Sequence, residues 1–227
     1  MKERLEKVKG RIHNAAVASG RDPESVRLVA VSKTIPENRV REAIEAGVTT
    51  LGENYVQEAR KKVNALSRHS VSWHMIGHLQ TNKAKYAVRL FDLIQTVDSL
   101  KLAIELDRQA KKVGKIQGIL IQINVGEDPA KSGAHAESTH NLVHDISRLG
   151  NVSIKGLMTM PPFFNSPEKV RPYFSALRRL RDRLKKEAPS NVSMAELSMG
   201  MTGDFEAAIE EGATLVRIGT ALFGERR

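Results

Sequence analysis

Eight short apolar segments alternate with helical patterns along this chain, and that alternation restricts the fold more than any other feature. The expected strands cover residues 26–33, 49–54, 72–77, 93–97, 117–125, 153–160, 194–199 and 214–220. Every one but the last is followed by a segment of helical character. Pro36 opens the first of these and Gly47 closes it, while Asp98 and Ser99 offer a cap to the helix that stops at Gly114. A polar loop is expected over residues 127–133, a helix from about Glu137 to Gly150, a long one from Pro167 to about Ala188, and a short one over residues 203–211. Strict strand–helix alternation gives a parallel sheet, and eight repeats favour a closed (β/α)8 barrel over an open doubly wound sheet. Several strands are apolar on both faces, as befits a sheet covered by helices. The first twenty residues add an amphipathic helix with Leu5, Val8, Ile12, Ala15 and Ala16 on one stripe. No linker-like or low-complexity tract divides residues 1–227, so one α/β domain is expected, with that helix packed on the barrel.

Composition removes several functional classes. There is no cysteine, which excludes disulfides, thiolate nucleophiles and zinc–thiolate sites. No apolar run is long enough to span a bilayer, and the N-terminus lacks an apolar signal core, so a cytoplasmic protein without membrane contact is expected. The formal charge of +10 favours anionic partners, phosphorylated metabolites among them. Much of the excess lies on two amphipathic helices, whose cations face away from the apolar stripe as a solvated face would. Aromatic residues do not interleave with those basic runs, which argues against a nucleic-acid platform.

Reactive groups of such barrels gather at the carboxyl ends of the strands. Those ends carry Lys33, Asn54, Gly77-His78, Met160, Ser198-Met199-Gly200 and Arg217-Ile218-Gly219-Thr220. A lysine closing an apolar strand can be held as a neutral amine, able to condense with an aldehyde. The segment from Ser198 to Gly203 enters a helix N-terminus, which suits an anion. Gly219 and Thr220 add close backbone approach and a hydroxyl, and the turns after strands seven and eight are the usual phosphate cradle of this fold. Arg217 lies within an apolar strand and requires an acceptor. Glu196 on the preceding strand and a ring nitrogen of a bound heteroaromatic both fit. His140 and His144 stand four apart on a helical pattern without an evident third metal ligand. His78 either lines the mouth or caps its loop, and Met158, Met160, Met199 and Met201 read as barrel and rim packing.

An amine, a phosphate cradle and a ring-facing arginine together describe a site for pyridoxal 5′-phosphate. The chain resembles the pyridoxal phosphate homeostasis proteins, similar in fold to the barrel of alanine racemase. The resemblance rests on residues 29–33 (VAVSK), 52–58 (GENYVQE), 73–83 (WHMIGHLQTNK), 156–160 (GLMTM), 197–201 (LSMGM) and 216–220 (VRIGT). It implies an aldimine at Lys33, phosphate contacts from Ser198, Gly219 and Thr220, Arg217 at the pyridine nitrogen, and Asn54 near the cofactor. Thr202-Gly203-Asp204 departs from the usual form of its block. A charged guanidinium at the ring nitrogen weakens the ring as an electron sink. Racemases also use a tyrosine from a β-domain that follows the barrel, whereas this chain ends seven residues after Thr220. The expectation is a monomeric protein that holds the cofactor with little turnover and passes it to apo-enzymes. The alternative is a racemase-like enzyme.

Overall fold

A computed structural model describes residues 1–128, 132–162, 164 and 166–225. After helix α1 (Lys2–Ala18), strand and helix alternate: β1 (Arg27–Val31), α2 (Glu37–Glu45), β2 (Thr50–Glu53), α3 (Val56–Ala65), β3 (Ser72–Met75) and α4 (Ala84–Leu90). The order continues through β4 (Leu93–Val97), α5 (Leu100–Lys112), β5 (Gln117–Ile123), α6 (Thr139–Ser147), β6 (Val152–Thr159) and α7 (Pro167–Glu187). It ends with β7 (Glu196–Met201), α8 (Phe205–Glu210), β8 (Leu215–Ile218) and α9 (Thr220–Phe223). The strands pair in parallel in chain order, and β8 returns to β1 with Val29 opposite Arg217, closing the barrel.

Local chemistry accounts for these elements. All five residues of β4 are buried, because one face of the strand fills the barrel and the other lies under helices. Ser99 caps α5 by accepting from the Leu102 amide. Gly47 ends α2 at φ 108, a conformation that a side chain disfavours. Leu5, Val8, Ile12, Ala15 and Ala16 of α1 are buried as their spacing predicts, and they join the same core as the barrel–helix interface.

Several boundaries differ from the sequence reading, and they matter at the site. β1 stops at Val31, so Lys33 stands in a turn two residues beyond the strand. β7 begins and ends two residues later than expected. Its register against β8 shifts between Ser198 and Met201, where Gly200 takes φ 90, so the strand bulges and runs on to Met201. Thr220 is the first residue of α9 rather than the last of a strand, and the eighth strand therefore has its helix too. Of the polar loop at 127–133, residues 129–131 lie outside those described. Among the described residues no helix is long and apolar enough to cross a membrane.

Candidate functional site

Lys33, Asn54, Gly219 and Thr220 follow the carboxyl ends of three adjoining strands, β1, β2 and β8, so they share one arc of the barrel mouth. Lys33 and Asn54 are half-buried, and Thr220 is exposed. Arg217 sits just below that arc, within β8. Ser198 is placed differently from the expectation. It lies inside β7, in register with Leu215 and Met158, and three residues below the strand's end.

Arg217 explains where the Ser198 hydroxyl goes. The guanidinium is 3 % exposed and turns into the barrel, donating from Nη1 to Ser198 Oγ at 2.6 Å and from Nη2 to the Thr159 carbonyl at 2.8 Å. Ser198 in turn donates to Gln95 Oε1 at 2.6 Å. That leaves Gln95 Nε2 to donate to His74 Nδ1 at 2.9 Å, so the histidine proton resides on Nε2. The chain Arg217–Ser198–Gln95–His74 is thus polarised in one direction. Burial, reinforced by Arg27, holds His74 down at about 4, so it is a neutral acceptor. Burial also lowers Arg217 to about 10, still cationic at neutral pH, with Asp204 opposing the shift through space. Glu196, the partner considered from the sequence, instead binds Arg27 and Thr214. Its strand neighbour is satisfied without it, and no carboxylate among the described residues lies within ion-pair distance of Arg217.

Beneath the Lys33 turn lies a second buried network. Glu53, at the end of β2, is fully buried, and its Oε1 accepts from Ser32 Oγ at 2.6 Å and Lys62 Nζ at 2.7 Å. Lys62 also donates to the Ser32 carbonyl at 2.5 Å and to Glu58 Oε1 at 2.8 Å. Glu58 Oε1 accepts the Thr34 amide at 2.6 Å. Burial pushes the Glu53 carboxyl above its usual range, although Lys62 and Ser32 pull it back. Glu53 Oε2 has no partner among the described residues. Sequence reading missed this network. Its signal was a lysine on the buried stripe of α3, aligned with Val56 and Ala59. Gln95, inside the apolar run of β4, was the comparable sign of the first network.

The mouth suits a phosphorylated heteroaromatic aldehyde. Gly219 has an ordinary φ of −113, and a Cβ there would make only van der Waals contact with Val31, from 3.4 Å. The fold itself therefore does not require glycine, and the bare backbone is left for a close-approaching group. The amides opening α9 lack intrahelical acceptors, as at any helix start. Asp204, raised by burial, holds the Met201 amide at 2.6 Å and keeps the β7–α8 turn in shape. A cavity of about 450 Å³, lined by Asn54, Tyr55, Gln57, Met75, His78 and Lys83, opens beside β2 and β3. His78 Nδ1 lies 3.3 Å from Ser132 Oγ, so it both lines this cavity and meets the loop after β5. His140 faces Glu187 at 3.7 Å, and the described residues contain no group of three or more metal-ligating side chains. Met158 and Met199 pack in the core while Met160 stands exposed.

A parallel barrel with a lysine after its first strand and a buried arginine in its last defines a class, that of the alanine racemase N-terminal domain, whose family profile matches residues 11–227. Clostridium difficile alanine racemase shares the fold at a TM-score of 0.72 and 16 % identity, over 99 % of this chain and 57 % of that one. A pyridoxal phosphate homeostasis protein of Aquifex aeolicus is 47 % identical over 99 % of this chain and 98 % of its own length. Its Escherichia coli counterpart is 38 % identical over 98 % and 95 %. The chain belongs to the pyridoxal phosphate homeostasis protein family. PipY of Synechococcus elongatus, solved with PLP bound, superposes at a TM-score of 0.87 with 37 % identity, covering 98 % of this chain and 99 % of that one.

Proposed function

We propose that this chain holds pyridoxal 5′-phosphate at Lys33 and serves the intracellular balance of that cofactor, with little or no turnover of amino acids. The observation that carries the reading is the arc itself: an amine, a buried guanidinium and an unfilled glycine turn stand on adjoining strands of one barrel mouth. When bound, the cofactor supplies an aldehyde that condenses with an amine, releasing one water, and hydrolysis reverses the bond. Lys33 is the proposed attachment. Gly219 and Thr220 hold the phosphate through the turn that opens α9, and Asn54 stands on the other side of Lys33, after β2. Arg217 meets the ring nitrogen. Ser198 acts through Arg217, because its hydroxyl is already used in both directions by Gln95 and the guanidinium.

The same arrangement favours holding over turnover. Arg217 keeps a positive charge beside the ring nitrogen, which discourages ring protonation and weakens carbanion stabilisation. Tyr173 stacks on Phe164, and Tyr86 sits on α4 beside Lys85. Tyr55, 60 % exposed, is the one tyrosine at the mouth cavity among the described residues. A monomer in the cytoplasm that releases the cofactor to apo-enzymes completes the reading.

Incubation with pyridoxal phosphate, borohydride reduction and peptide mapping test it. The reduced adduct should map to Lys33, and Lys33→Ala should lose the visible absorption band. An adduct elsewhere, or Lys33→Ala binding with unchanged affinity and spectrum, refutes the assignment. Amino-acid α-hydrogen exchange in D2O far faster than with free cofactor would favour the racemase-like alternative.

A further inference from the structure

We propose that Glu58 and Lys62, on α3, are positioning residues for the amine of Lys33. The inference rests on the reading of Lys33 as the attachment point. Lysine has a long flexible stem, so the place its nitrogen reaches depends on how firmly its own backbone is held. Both neighbours of Lys33 are gripped from below. On the N-terminal side, the Ser32 carbonyl accepts from Lys62 Nζ at 2.5 Å and from the Ile35 amide at 3.0 Å, and the Ser32 hydroxyl donates to Glu53 at 2.6 Å. On the C-terminal side, the Thr34 amide donates to Glu58 Oε1 at 2.6 Å.

Thr34 gives the clearest sign that this grip is directed at the turn. It adopts φ 63, in a region that costs a residue with a side chain roughly 1–2 kcal/mol. Such a conformation persists where the surroundings over-determine it. The bond that the Thr34 N–H donates to Glu58 does so at the residue immediately after Lys33. A buried ion pair needs no such arrangement. Lys62 is already paired with Glu53, and the Glu58 side chain is 26 % exposed, so its contact with the Thr34 amide is not forced by burial. Glu58 and Lys62 stand one helical turn apart, which lets a single oxygen serve both the ammonium and the amide. The end of β2 and the first turns of α3 thus form a clamp under the turn that carries the amine.

Glu58 is the position to vary, because Lys62→Met would strand a buried carboxylate and endanger the fold. Glu58→Gln keeps an acceptor oxygen, and Glu58→Ala removes it. Two readouts apply: hydrogen exchange of the Thr34 amide in the cofactor-free protein, and the rate at which pyridoxal phosphate is captured at Lys33, followed by timed borohydride quenching and mass spectrometry. Glu58→Ala should accelerate the exchange and slow the capture, each by about tenfold or more, while Glu58→Gln stays within about threefold of the parent in both. Matching thermal midpoints for the two variants would exclude a general loss of fold. Glu58→Ala behaving like the parent in both readouts overturns the proposal, and so does Glu58→Gln as slow as Glu58→Ala. If the parent captures nothing at Lys33, the cofactor reading fails and exchange alone decides. Faster exchange in Glu58→Ala then retains the clamp as the support of that turn, and unchanged exchange removes it.

Discussion

Two buried cations in this barrel are treated in opposite ways. Lys62 is enclosed by carboxylates, with Glu53 at 2.7 Å and Glu58 at 2.8 Å. Arg217, equally buried, meets only neutral acceptors among the described residues, the Ser198 hydroxyl and the Thr159 carbonyl. The charge of Lys62 is satisfied inside the protein and organises a turn. The charge of Arg217 has no carboxylate within ion-pair distance among the described residues and only Asp204 acting through space, and in the proposed function it faces the ligand at the mouth. A buried charge without its own counter-ion is costly to maintain, and such costs concentrate at binding sites.

The comparison breaks most visibly in stability. Lys62→Met should destabilise the protein by about 3–5 kcal/mol, because it strands the buried Glu53 carboxylate, and urea unfolding will measure the loss. Adding Glu53→Gln to Lys62→Met should recover a large part of it.

Acid should expose the network that runs from Arg217 through Ser198 and Gln95 to His74. The unfolded chain protonates His74 near 6.5 and the folded protein only near 4, so stability falls as pH drops through that interval. The full contribution approaches about 3 kcal/mol. Above pH 6.5 the residue contributes no slope. His74→Gln, which preserves an acceptor for Gln95, should flatten the pH dependence of unfolding by that amount relative to the parent.

Arg217→Met should reverse the pattern of Lys62→Met. Folding should change by only about 1 kcal/mol, since the charge had no carboxylate partner, while cofactor affinity drops about tenfold to a hundredfold. Titration of the visible band will show which occurs. A large loss of stability with unchanged affinity would equate the two cations and dissolve the contrast.

Gly219→Ala is the mildest test. Its ordinary φ and the van der Waals spacing to Val31 predict a stability change below about 1 kcal/mol. A measurable fall in phosphate-dependent binding, compared with pyridoxal lacking the phosphate, would locate the anion at the β8–α9 turn.

Much of this is legible in the amino-acid sequence alone. The alternation of apolar and helical segments specified eight strands and their parallel order, and the stripe from Leu5 to Ala16 specified which face of α1 is buried. Lys33 and Arg217 stood out because a strand end or strand interior is an odd place for a cation, and Gly219 and Thr220 because they follow the last strand, where this fold commonly cradles phosphate. Ser198 was misplaced by the bulge at Gly200, since an apolar count along one strand cannot register an inserted residue that only its pairing partner reveals. The choice between Glu196 and another acceptor for Arg217 was equally beyond spacing. It depended on which side of β8 the guanidinium turns.

What the sequence determined alone is local and periodic: strand, helix, stripe and the residue types at the barrel's carboxyl ends. Only the closed barrel decided which distant groups meet. Ser198 and Gln95 are 103 residues apart and 2.6 Å in space, and Glu53, Glu58 and Lys62 reach under Lys33 because β2 lies beside β1. Periodicity follows from the backbone's own geometry, whereas the pairing of buried charges depends on depth and register, which exist only once the sheet has closed on itself.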